Sequence, residues 1–241
     1  MEQAEKFGTD IRYEDVVKLE LAGEVKRVHL EDEVLETRTV IFSTGSAYRK
    51  LGLEEEDKYS GHGVSYCATC DGFFFRDQDI IVVGGGDSAM EEATFLTTFA
   101  KSVTVVHRRD ELRASAAMAK RALENPKINF AWNSRVSALH GEGALESVTL
   151  TDTVTGQTRE LEATGLFVAI GSSPRSELVR DQLELDAAGY VVVSHPSTRT
   201  NIPGVFACGD VADPTYRQAI TAAASGTRAA LDAQHYLAEL N

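Results

Sequence analysis

The first part of the chain places short apolar runs between polar turns, which is the pattern of β-strands. Three such runs lie between residues 10 and 43, the last of them at 36–43. We predict a strand meander that ends in the apolar strand Val40–Ser43. The next segment, 50–66, is polar and holds four consecutive acidic residues at 54–57, so we interpret it as a solvated connection.

The middle of the chain changes to alternating strand and helix signals. Asp79–Val83 is a short apolar run, residues 87–100 carry apolar side chains at helical spacing, and Val103–Val106 is apolar again. Strand, helix and strand within about 30 residues predict a βαβ unit with a parallel sheet. The other predicted elements are strands at 128–132, 145–152, 158–163, 166–170, 190–193 and 204–207, and helices at 113–124 and 219–240.

An internal repeat organises these elements into domains. Residues 40–49 align without a gap with residues 166–175, which matches Gly45 with Gly171. Both glycines follow an apolar strand, the position at which doubly wound sheets bind ligands. We therefore predict an α/β fold with two related dinucleotide-binding domains. If the repeat is real, the glycine-rich turn of the first domain precedes Met1, and that domain is incomplete in this chain.

Charge and cysteine content narrow the class of protein. The chain has 37 acidic and 24 basic residues, a net charge of −13. It is a poor candidate for binding nucleic acid or an anionic membrane, because both need Lys and Arg against phosphates. Three cysteines are too few for a disulfide scaffold. The polar start shows no signal peptide, and no apolar run approaches the ~20 residues that span a bilayer. We expect a soluble, cytoplasmic protein.

The turn Gly84-Gly85-Gly86-Asp87-Ser88-Ala89 fits the dinucleotide-binding pattern G-x-G-x-x-A. Gly84 permits the tight turn, Gly86 lets the backbone approach a pyrophosphate, and Ala89 allows close packing of helix on strand. The turn follows a predicted strand and opens a predicted helix, whose N-terminus favours an anion. We interpret it as a dinucleotide-phosphate site rather than a plain glycine turn.

The next strand ends in a basic segment, His107-Arg108-Arg109-Asp110, with Arg113 following. An NAD site normally places Asp or Glu here to hold the ribose hydroxyls, whereas arginines suit a 2′-phosphate. The alternative is a solvated basic helix start, but basic residues are unfavourable at a helix N-terminus. The segment therefore favours NADP(H).

Cys67-Ala68-Thr69-Cys70 is a C-x-x-C pair with three possible uses. A zinc site needs two further ligands, and only His62 and the distant Cys208 are candidates. Two inert buried thiols are also possible. A redox dithiol is the interpretation that βαβ units favour. Asp71 directly follows and could move the proton that thiol–disulfide exchange requires; otherwise it is a cap or turn residue.

We expect Phe73-Phe74-Phe75 to pack in the core or between domains.

A strand near the C-terminus ends in Gly209-Asp210, and Tyr216–Ile220 opens the last helix. An Asp at a strand end can bind a sugar or ribityl hydroxyl, and a helix start can face a polarised carbonyl. The residues alone indicate a ligand-facing turn. We expect Cys208 to be a small buried apolar residue.

In this order, the motifs CATCDG, GGGDSA, HRRD, IGSSP and GVFACGDVAD followed by YRQA make the chain resemble the bacterial-type, low-molecular-weight thioredoxin reductases. The resemblance covers nearly the whole chain. It implies two Rossmann-like domains of the three-layer FAD/NAD(P)-binding type. The FAD-binding domain would be discontinuous, at 1–49 and 177–241, and incomplete. The NADPH-binding domain, at 50–176, would carry the dithiol.

The resemblance also implies an activity and assigns roles to residues. Hydride would pass from NADPH to FAD, then to the Cys67/Cys70 disulfide and on to thioredoxin, with a homodimer as the assembly. Cys70 would be the thiol next to the flavin, Cys67 the thiol that attacks thioredoxin, and Asp71 the acid/base. The implied NADP-binding residues are Gly84, Gly86, Asp87, Ser88, Ala89, His107, Arg108, Arg109, Arg113, Ile170 and Gly171. The implied FAD-binding residues are Thr44, Gly45, Gly209, Asp210, Arg217, Gln218 and Ala219. No metal is implied.

The chain departs from the family pattern in two places. The N-terminal strand, glycine-rich loop and helix that bind the FAD pyrophosphate are absent from these residues, and Cys208 stands where the family usually has Ala. We expect this chain to bind NADPH but to hold FAD weakly, with little reductase activity. Two alternatives stay open: the flavoprotein subunit of an alkyl hydroperoxide reductase, and a non-catalytic NADPH-binding module.

Overall fold

The computed structural model describes residues 2–240. The chain divides into two compact units. The first comprises Met1–Ala47 with Ser173–Asn241, and the second comprises Tyr48–Ser172.

Fifteen strands and five α-helices are formed by the described residues. The strands are β1 Lys18–Glu20, β2 Lys26–His29, β3 Val34–Thr37, β4 Val40–Phe42, β5 Ser46–Tyr48, β6 Val64–Ser65, β7 Asp79–Val83, β8 Ser102–Val106, β9 Ile128–Ala131, β10 Ser134–His140, β11 Ser147–Asp152, β12 Thr158–Glu162, β13 Gly165–Val168, β14 Ser172–Pro174 and β15 Val205–Ala207. The α-helices are α1 Glu2–Glu5, α2 Ala68–Asp71, α3 Asp87–Leu96, α4 Ala116–Leu123 and α5 Ala219–Glu239.

The second unit is built on a five-stranded sheet with the order β6-β13-β7-β8-β9, and its strand pairs are parallel. The apolar runs seen in the sequence are buried on both faces. Ile80 and Val82 pack with α3 on one side. Ile81 and Val83 pack on the other side with the antiparallel sheet β10-β11-β12. Helices and a second sheet therefore cover the two faces of a parallel sheet, which confirms the predicted α/β architecture.

Several sequence predictions for this unit need correction. The strand Ser134–His140 (β10) was not predicted, because a register shift between Val136 and Ala138 breaks the alternation of its side chains. Residues 50–66 are not wholly a solvated connection. They contribute the parallel strand β6, and Glu56 is only 1% exposed. The Glu56 carboxylate accepts hydrogen bonds from the backbone N–H groups of Leu51 and Gly52. These two hydrogen bonds hold the loop before Glu56 against its carboxylate.

The first unit combines an antiparallel meander, β1-β2-β3, with a parallel pair, β4-β15. The apolar run at 36–43 is therefore two strands in two different sheets, not one strand. Helix α5 packs on β15 through Ala229 and Ala233, which contact Phe206 and Cys208. Cys208 is buried, as the sequence predicted, and burial raises the pKa of its thiol. The predicted strand at 190–193 is reduced to an isolated bridge between Leu185 and Val191.

Strands β5 and β14 form a two-stranded sheet. They hold residues 46–48 and 172–174, which are aligned positions in the two halves of the internal repeat. The backbone N–H of Arg49 donates to the carbonyl oxygen of Gly171, and the backbone N–H of Arg175 donates to the carbonyl oxygen of Gly45, each at 3.0 Å. Matching positions of the repeat thus make equivalent backbone hydrogen bonds.

Within residues 2–240, no helix is long and apolar enough to cross a membrane.

Candidate active site

The predicted site residues of the second unit gather at one edge of its sheet. The dithiol follows β6, Ile170 and Gly171 follow β13, the glycine-rich turn follows β7 and the basic segment follows β8. These four strands are neighbours and parallel, so their carboxyl ends meet at the same edge. Open α/β sheets bind their ligands outside this edge.

Cys67 and Cys70 form a disulfide with an S–S distance of 2.07 Å. Cys67 is the N-cap of α2, and its sulfur accepts the backbone N–H of Cys70. In a disulfide neither sulfur is a thiolate, and zinc binds cysteine only as thiolate. The pair in this oxidised form therefore does not fit the zinc alternative. Cys67 is partly buried, whereas Cys70 is exposed.

Asp71 lies beside the disulfide and is held by a residue that the sequence analysis missed. The hydroxyl of the buried Ser65 donates a 2.7 Å hydrogen bond to Asp71 Oδ2. The same hydroxyl oxygen accepts the backbone N–H of Cys67 at 3.1 Å. Ser65 therefore joins the carboxyl group to the dithiol. Its place two residues before the first cysteine is the only signal that could have indicated it.

The three phenylalanines after Asp71 differ in burial. Phe75 is partly buried and packs edge-on against Phe167, as predicted. Phe73 and Phe74 are 60% and 74% exposed, so the core alternative of the prediction is wrong for these two rings, and the domain-packing alternative stays a prediction. Phe73 is supported from the side by Phe99, with ring centroids 6.0 Å apart. The short 3₁₀ helix Gly72–Phe75 turns only the third ring inward.

The glycine-rich turn has the close packing that its pattern requires. Gly84 has φ 155°, and a Cβ there would lie 2.5 Å from the carbonyl oxygen of Ala169 and 2.6 Å from Ala89 Cβ. Gly86 is the N-cap of α3 without a side-chain cap, and a Cβ there would meet nothing within 4 Å. Asp87 and Ser88 are exposed at the first turn of α3. Open space before an uncapped helix N-terminus fits a pyrophosphate.

The basic segment folds against this turn. The backbone N–H of Arg113 donates to the carbonyl oxygen of Gly85 at 2.7 Å. The backbone N–H of Ser115 donates to Asp87 Oδ1 at 2.8 Å. This contact from Ser115 holds the pKa of the Asp87 carboxyl below its usual range. The side chains of Arg108, Arg109 and Arg113 are exposed. The structure therefore places three exposed arginines in the segment that folds against the glycine-rich turn, and their guanidinium groups are donors that fit a 2′-phosphate.

His107 differs from the three arginines because its ring is buried, at 5% exposure. Burial is the main cause that lowers the pKa of its imidazole. A hydrogen bond with the Glu111 carbonyl acts in the opposite direction, and the three neighbouring arginines lower the pKa further.

On the other side of the turn, Ile170 is partly buried and Gly171 is exposed with φ 98°.

In the first unit, the predicted residues again lie at the carboxyl ends of paired parallel strands. Thr44 and Gly45 follow β4, and Gly209 and Asp210 follow β15. Gly45 and Gly209 have φ of 73° and 72°. Added Cβ atoms would meet nothing within 4 Å at Gly45 and only Ala222 Cβ at 3.9 Å at Gly209, so a ligand can approach both closely.

Asp210 carries the clearest sign of a ligand in this unit. Its carboxyl is partly buried, and no donor among residues 2–240 makes a hydrogen bond to it. Burial, together with the neighbouring Asp213, raises the pKa of Asp210. A partly buried carboxylate with no donor among the described residues can accept a hydrogen bond from a ligand, so a hydroxyl such as that of the ribityl chain of FAD fits this position.

The turn before α5 is organised by Asp213, which the sequence analysis missed. Its carboxylate accepts the backbone N–H groups of Thr215, Tyr216 and Arg217 at 2.8–2.9 Å. Although burial raises the pKa of Asp213, these three hydrogen bonds outweigh burial and hold it below its usual range. They also hold Arg217 at φ 48°. The Asp-Pro dipeptide is a turn signal that could have indicated it.

Gln218 and Ala219 complete the predicted first-unit site. Gln218 is the N-cap of α5 and forms a capping box with Thr221, while Ala219 is the exposed first residue of the helix.

Comparisons with known proteins agree with this arrangement. Residues 2–226 match the model of the pyridine nucleotide-disulphide oxidoreductase family. The chain is 63% identical to a thioredoxin reductase of Streptomyces clavuligerus, covering 99% of this chain and 74% of that protein. A bifunctional thioredoxin reductase/thioredoxin of Mycobacterium leprae is 53% identical, over 99% of this chain and 52% of that protein. The crystal structure of a thioredoxin reductase from Streptococcus pyogenes superposes with a TM-score of 0.93 at 45% identity, covering 99% of this chain and 78% of that one.

Proposed function

The chain belongs to the thioredoxin reductases, within the pyridine nucleotide-disulphide oxidoreductase family, and we propose how its residues carry out that activity. It is an NADPH-dependent, FAD-binding oxidoreductase. The proposal is that Cys67 and Cys70 are its redox pair, Asp71 its proton donor and acceptor, and thioredoxin its acceptor. The observation that carries it is the disulfide at the sheet edge that also holds the glycine-rich turn and the basic segment.

The second unit supports the assignment of the NADPH site. We propose that Gly84, Gly86 and the α3 N-terminus hold the pyrophosphate, and that Arg108, Arg109 and Arg113 hold the 2′-phosphate. The open space before α3 and the exposed guanidinium groups support this. Asp87, Ser88, Ala89, Ile170 and Gly171 complete the proposed surroundings of the cofactor.

The first unit supports the assignment of the flavin site. We propose that Asp210 binds the ribityl chain and that Arg217, Gln218 and Ala219 lie at the isoalloxazine, with Thr44, Gly45 and Gly209 close by. The carboxyl of Asp210, without a donor among the described residues, supports this most directly. The Thr44 hydroxyl already has a partner within the protein, because it donates a hydrogen bond to the Arg175 carbonyl oxygen at 2.6 Å.

The chemistry of the dithiol follows from its own atoms. When bound, NADPH supplies a hydride and FAD passes two electrons to the disulfide. Two electrons and two protons turn the Cys67–Cys70 disulfide into two thiols, with Asp71 as the proposed source of a proton. The Cys67 thiol gives up its proton, and the thiolate attacks the thioredoxin disulfide and releases one thioredoxin thiolate, which takes up a proton. Cys70 then loses its proton and attacks Cys67 Sγ in the mixed disulfide, which displaces the second thioredoxin thiolate and restores the Cys67–Cys70 disulfide.

Thioredoxin needs a surface next to the dithiol on which to dock. We propose that Phe73 and Phe74 supply it, because large exposed aromatic rings on a protein surface are typical of interaction sites. They follow the dithiol within three to four residues of Cys70. The Mycobacterium leprae relative, a bifunctional thioredoxin reductase/thioredoxin, supports thioredoxin as the partner.

A homodimeric assembly and a cytoplasmic location are also part of the proposal. The use of cysteine, one C-x-x-C pair and one buried thiol, is typical of a reducing compartment.

A trapping experiment tests the roles of the cysteines independently of cofactor content. In the full chain, Cys70→Ser leaves Cys67 free to attack but removes the thiol that resolves the adduct. We expect this variant to form a mixed disulfide with thioredoxin that has been activated with thionitrobenzoate, measured by released dye and intact mass. Cys67→Ser should trap far less, and Cys208→Ala should leave the trapping by Cys70→Ser unchanged. Equal trapping by the two variants would overturn the assignment of the attacking thiol, and trapping by neither would overturn the redox role.

A further inference from the structure

The carboxyl group of Asp71 has a single side-chain partner among residues 2–240. Asp71 ends α2 and is the N-cap of the short 3₁₀ helix Gly72–Phe75, but its carboxyl makes no capping hydrogen bond there. Its Oδ2 accepts the hydroxyl of Ser65 at 2.7 Å, and no donor within the same residues reaches Oδ1. The two oxygens of this carboxyl group are therefore in different situations: one is bound and the other is available.

The hydroxyl of Ser65 has one proton, and its contacts show where that proton lies. The hydroxyl oxygen is 2.7 Å from Asp71 Oδ2 but 3.4 Å from the carbonyl oxygen of Cys67. A carboxylate is the stronger acceptor, and the shorter contact is the better hydrogen bond. Ser65 thus donates to Asp71, and its oxygen accepts the backbone N–H of Cys67 at 3.1 Å.

Ser65 itself is held in place by the parallel sheet. It is 4% exposed and lies in β6, where it pairs with Phe167 of β13. A buried hydroxyl whose donor and acceptor sites are both used has no reason to turn towards water. The hydrogen bond therefore fixes the Asp71 carboxyl from a strand rather than from a loop.

We propose that Ser65 is a positioning residue for proton transfer at the dithiol, which binds Oδ2 of Asp71 so that Oδ1 takes the proton of Cys70. This rests on the proposed roles of Cys67, Cys70 and Asp71. When a mixed disulfide on Cys67 is resolved, the Cys70 thiol gives its proton to Asp71 Oδ1 and its sulfur bonds to Cys67 Sγ. The bond from Cys67 Sγ to the partner sulfur breaks, and the partner leaves as a thiolate. Ser65 can donate throughout, since Oδ2 remains an acceptor when Oδ1 carries the proton.

The resolving step can be measured without either cofactor. The full chain with Cys208→Ala is reduced with dithiothreitol, separated from it and mixed with one equivalent of dithiobis(nitrobenzoate). Attack by Cys67 releases one coloured thionitrobenzoate, and resolution by Cys70 releases the second. At about pH 7, where free thiols are mostly protonated, we expect Ser65→Ala to slow the second release about tenfold. It should change the first release far less.

Three comparisons distinguish positioning from a general structural defect. Ser65→Thr keeps the hydroxyl and should recover most of the rate, whereas Ser65→Val, which has the same shape without the hydroxyl, should not. The deficit of Ser65→Ala should shrink above about pH 8.5, where free thiols ionise without a base. Ser147→Ala is the matched control, because this buried serine of β11 also donates to a carboxylate, that of Glu160. It should leave both releases unchanged.

Asp71→Asn separates the inference from the function on which it rests. If Asp71→Asn leaves the second release unchanged, the proposed proton transfer by Asp71 is refuted. If Asp71→Asn slows this release but Ser65→Ala does not, the positioning role is refuted. The same holds if Ser65→Ala slows it as much in the Asp71→Asn background as in the unaltered chain, or equally at every pH. Should Ser65→Ala not fold, equal rates for Ser65→Thr and Ser65→Val refute the inference.

Discussion

Two glycines in one turn should separate folding from cofactor binding. Gly84 and Gly86 are two residues apart, but their surroundings are opposite. At Gly84, φ is 155° and an added Cβ would collide with the backbone of Ala169. At Gly86, φ is −99° and the Cβ direction is open. We therefore expect Gly84→Ala to damage the fold, and Gly86→Ala to damage chiefly the binding of NADPH.

The magnitudes follow from these contacts. Gly84→Ala combines a strained backbone conformation, about 1–3 kcal/mol, with overpacking against backbone, about 1–3 kcal/mol. Gly86→Ala replaces an N-cap glycine by a poorer cap but also restricts the unfolded chain, so its net cost to stability is within about 1 kcal/mol. With about 2–4 °C of Tm per kcal/mol, Gly84→Ala should lower Tm by at least about 4 °C and Gly86→Ala by less. The methyl group of Gly86→Ala would occupy the space that a pyrophosphate needs, and a tenfold weaker affinity is the least we expect, about 1.4 kcal/mol.

Calorimetry with NADPH and thermal unfolding of both variants would test this directly. Gly156→Ala, in a hairpin turn with φ 74° and no neighbour within 4 Å of the Cβ, controls for backbone strain alone. The reasoning would be wrong if Gly86→Ala bound NADPH as tightly as the unaltered chain, or if Gly84→Ala unfolded at the same temperature as Gly156→Ala.

Two other predictions concern the partner surface and the pH dependence of stability. Phe74→Ala should raise the KM for thioredoxin several-fold and leave Tm unchanged, since this ring is exposed. Phe7→Ala is the control, because the Phe7 ring is also exposed. Equal KM values for the two variants would exclude Phe74 from docking. At Asp232, burial raises the pKa, but hydrogen bonds from Thr198 and Ser197 outweigh burial and hold it below its usual range. A lowered folded-state pKa stabilises the fold above the unfolded value of about 3.9, and this stability is lost as pH falls through the folded pKa. Tm should therefore drop less between about pH 5 and pH 3 in Asp232→Asn than in the unaltered chain, and parallel Tm curves would contradict this.

Local patterns were sufficient for the elements that carry the chemistry. The apolar run Asp79–Val83 and the glycine-rich turn after it predicted β7 and the start of α3, because a strand buried on both faces and a tight turn each need particular residues. The C-x-x-C spacing predicted a dithiol, and Cys67 and Cys70 do lie within disulfide distance, because residues three apart meet across one helical turn. The family resemblance rested on these same motifs and is confirmed by the comparisons.

Other features depended on contacts between residues distant in the chain. Glu56 looked like part of a solvated acidic run, but it is buried because backbone N–H groups of the preceding loop converge on its carboxylate. The exposure of Phe73 and Phe74 could not be predicted, because apolar residues next to a site have the same composition whether they face a core or a partner.

By itself, the sequence determined the α/β class and the residue types at the glycine-rich turn and at the strand ends, because turns, helix starts and strands have local requirements. Only the tertiary structure decided how those residues are held. It placed Ser65 against Asp71, His107 between Gly85 and Glu111, and three backbone donors on Asp213. Hydrogen bonds and close packing depend on distances in space, which residue order alone does not specify.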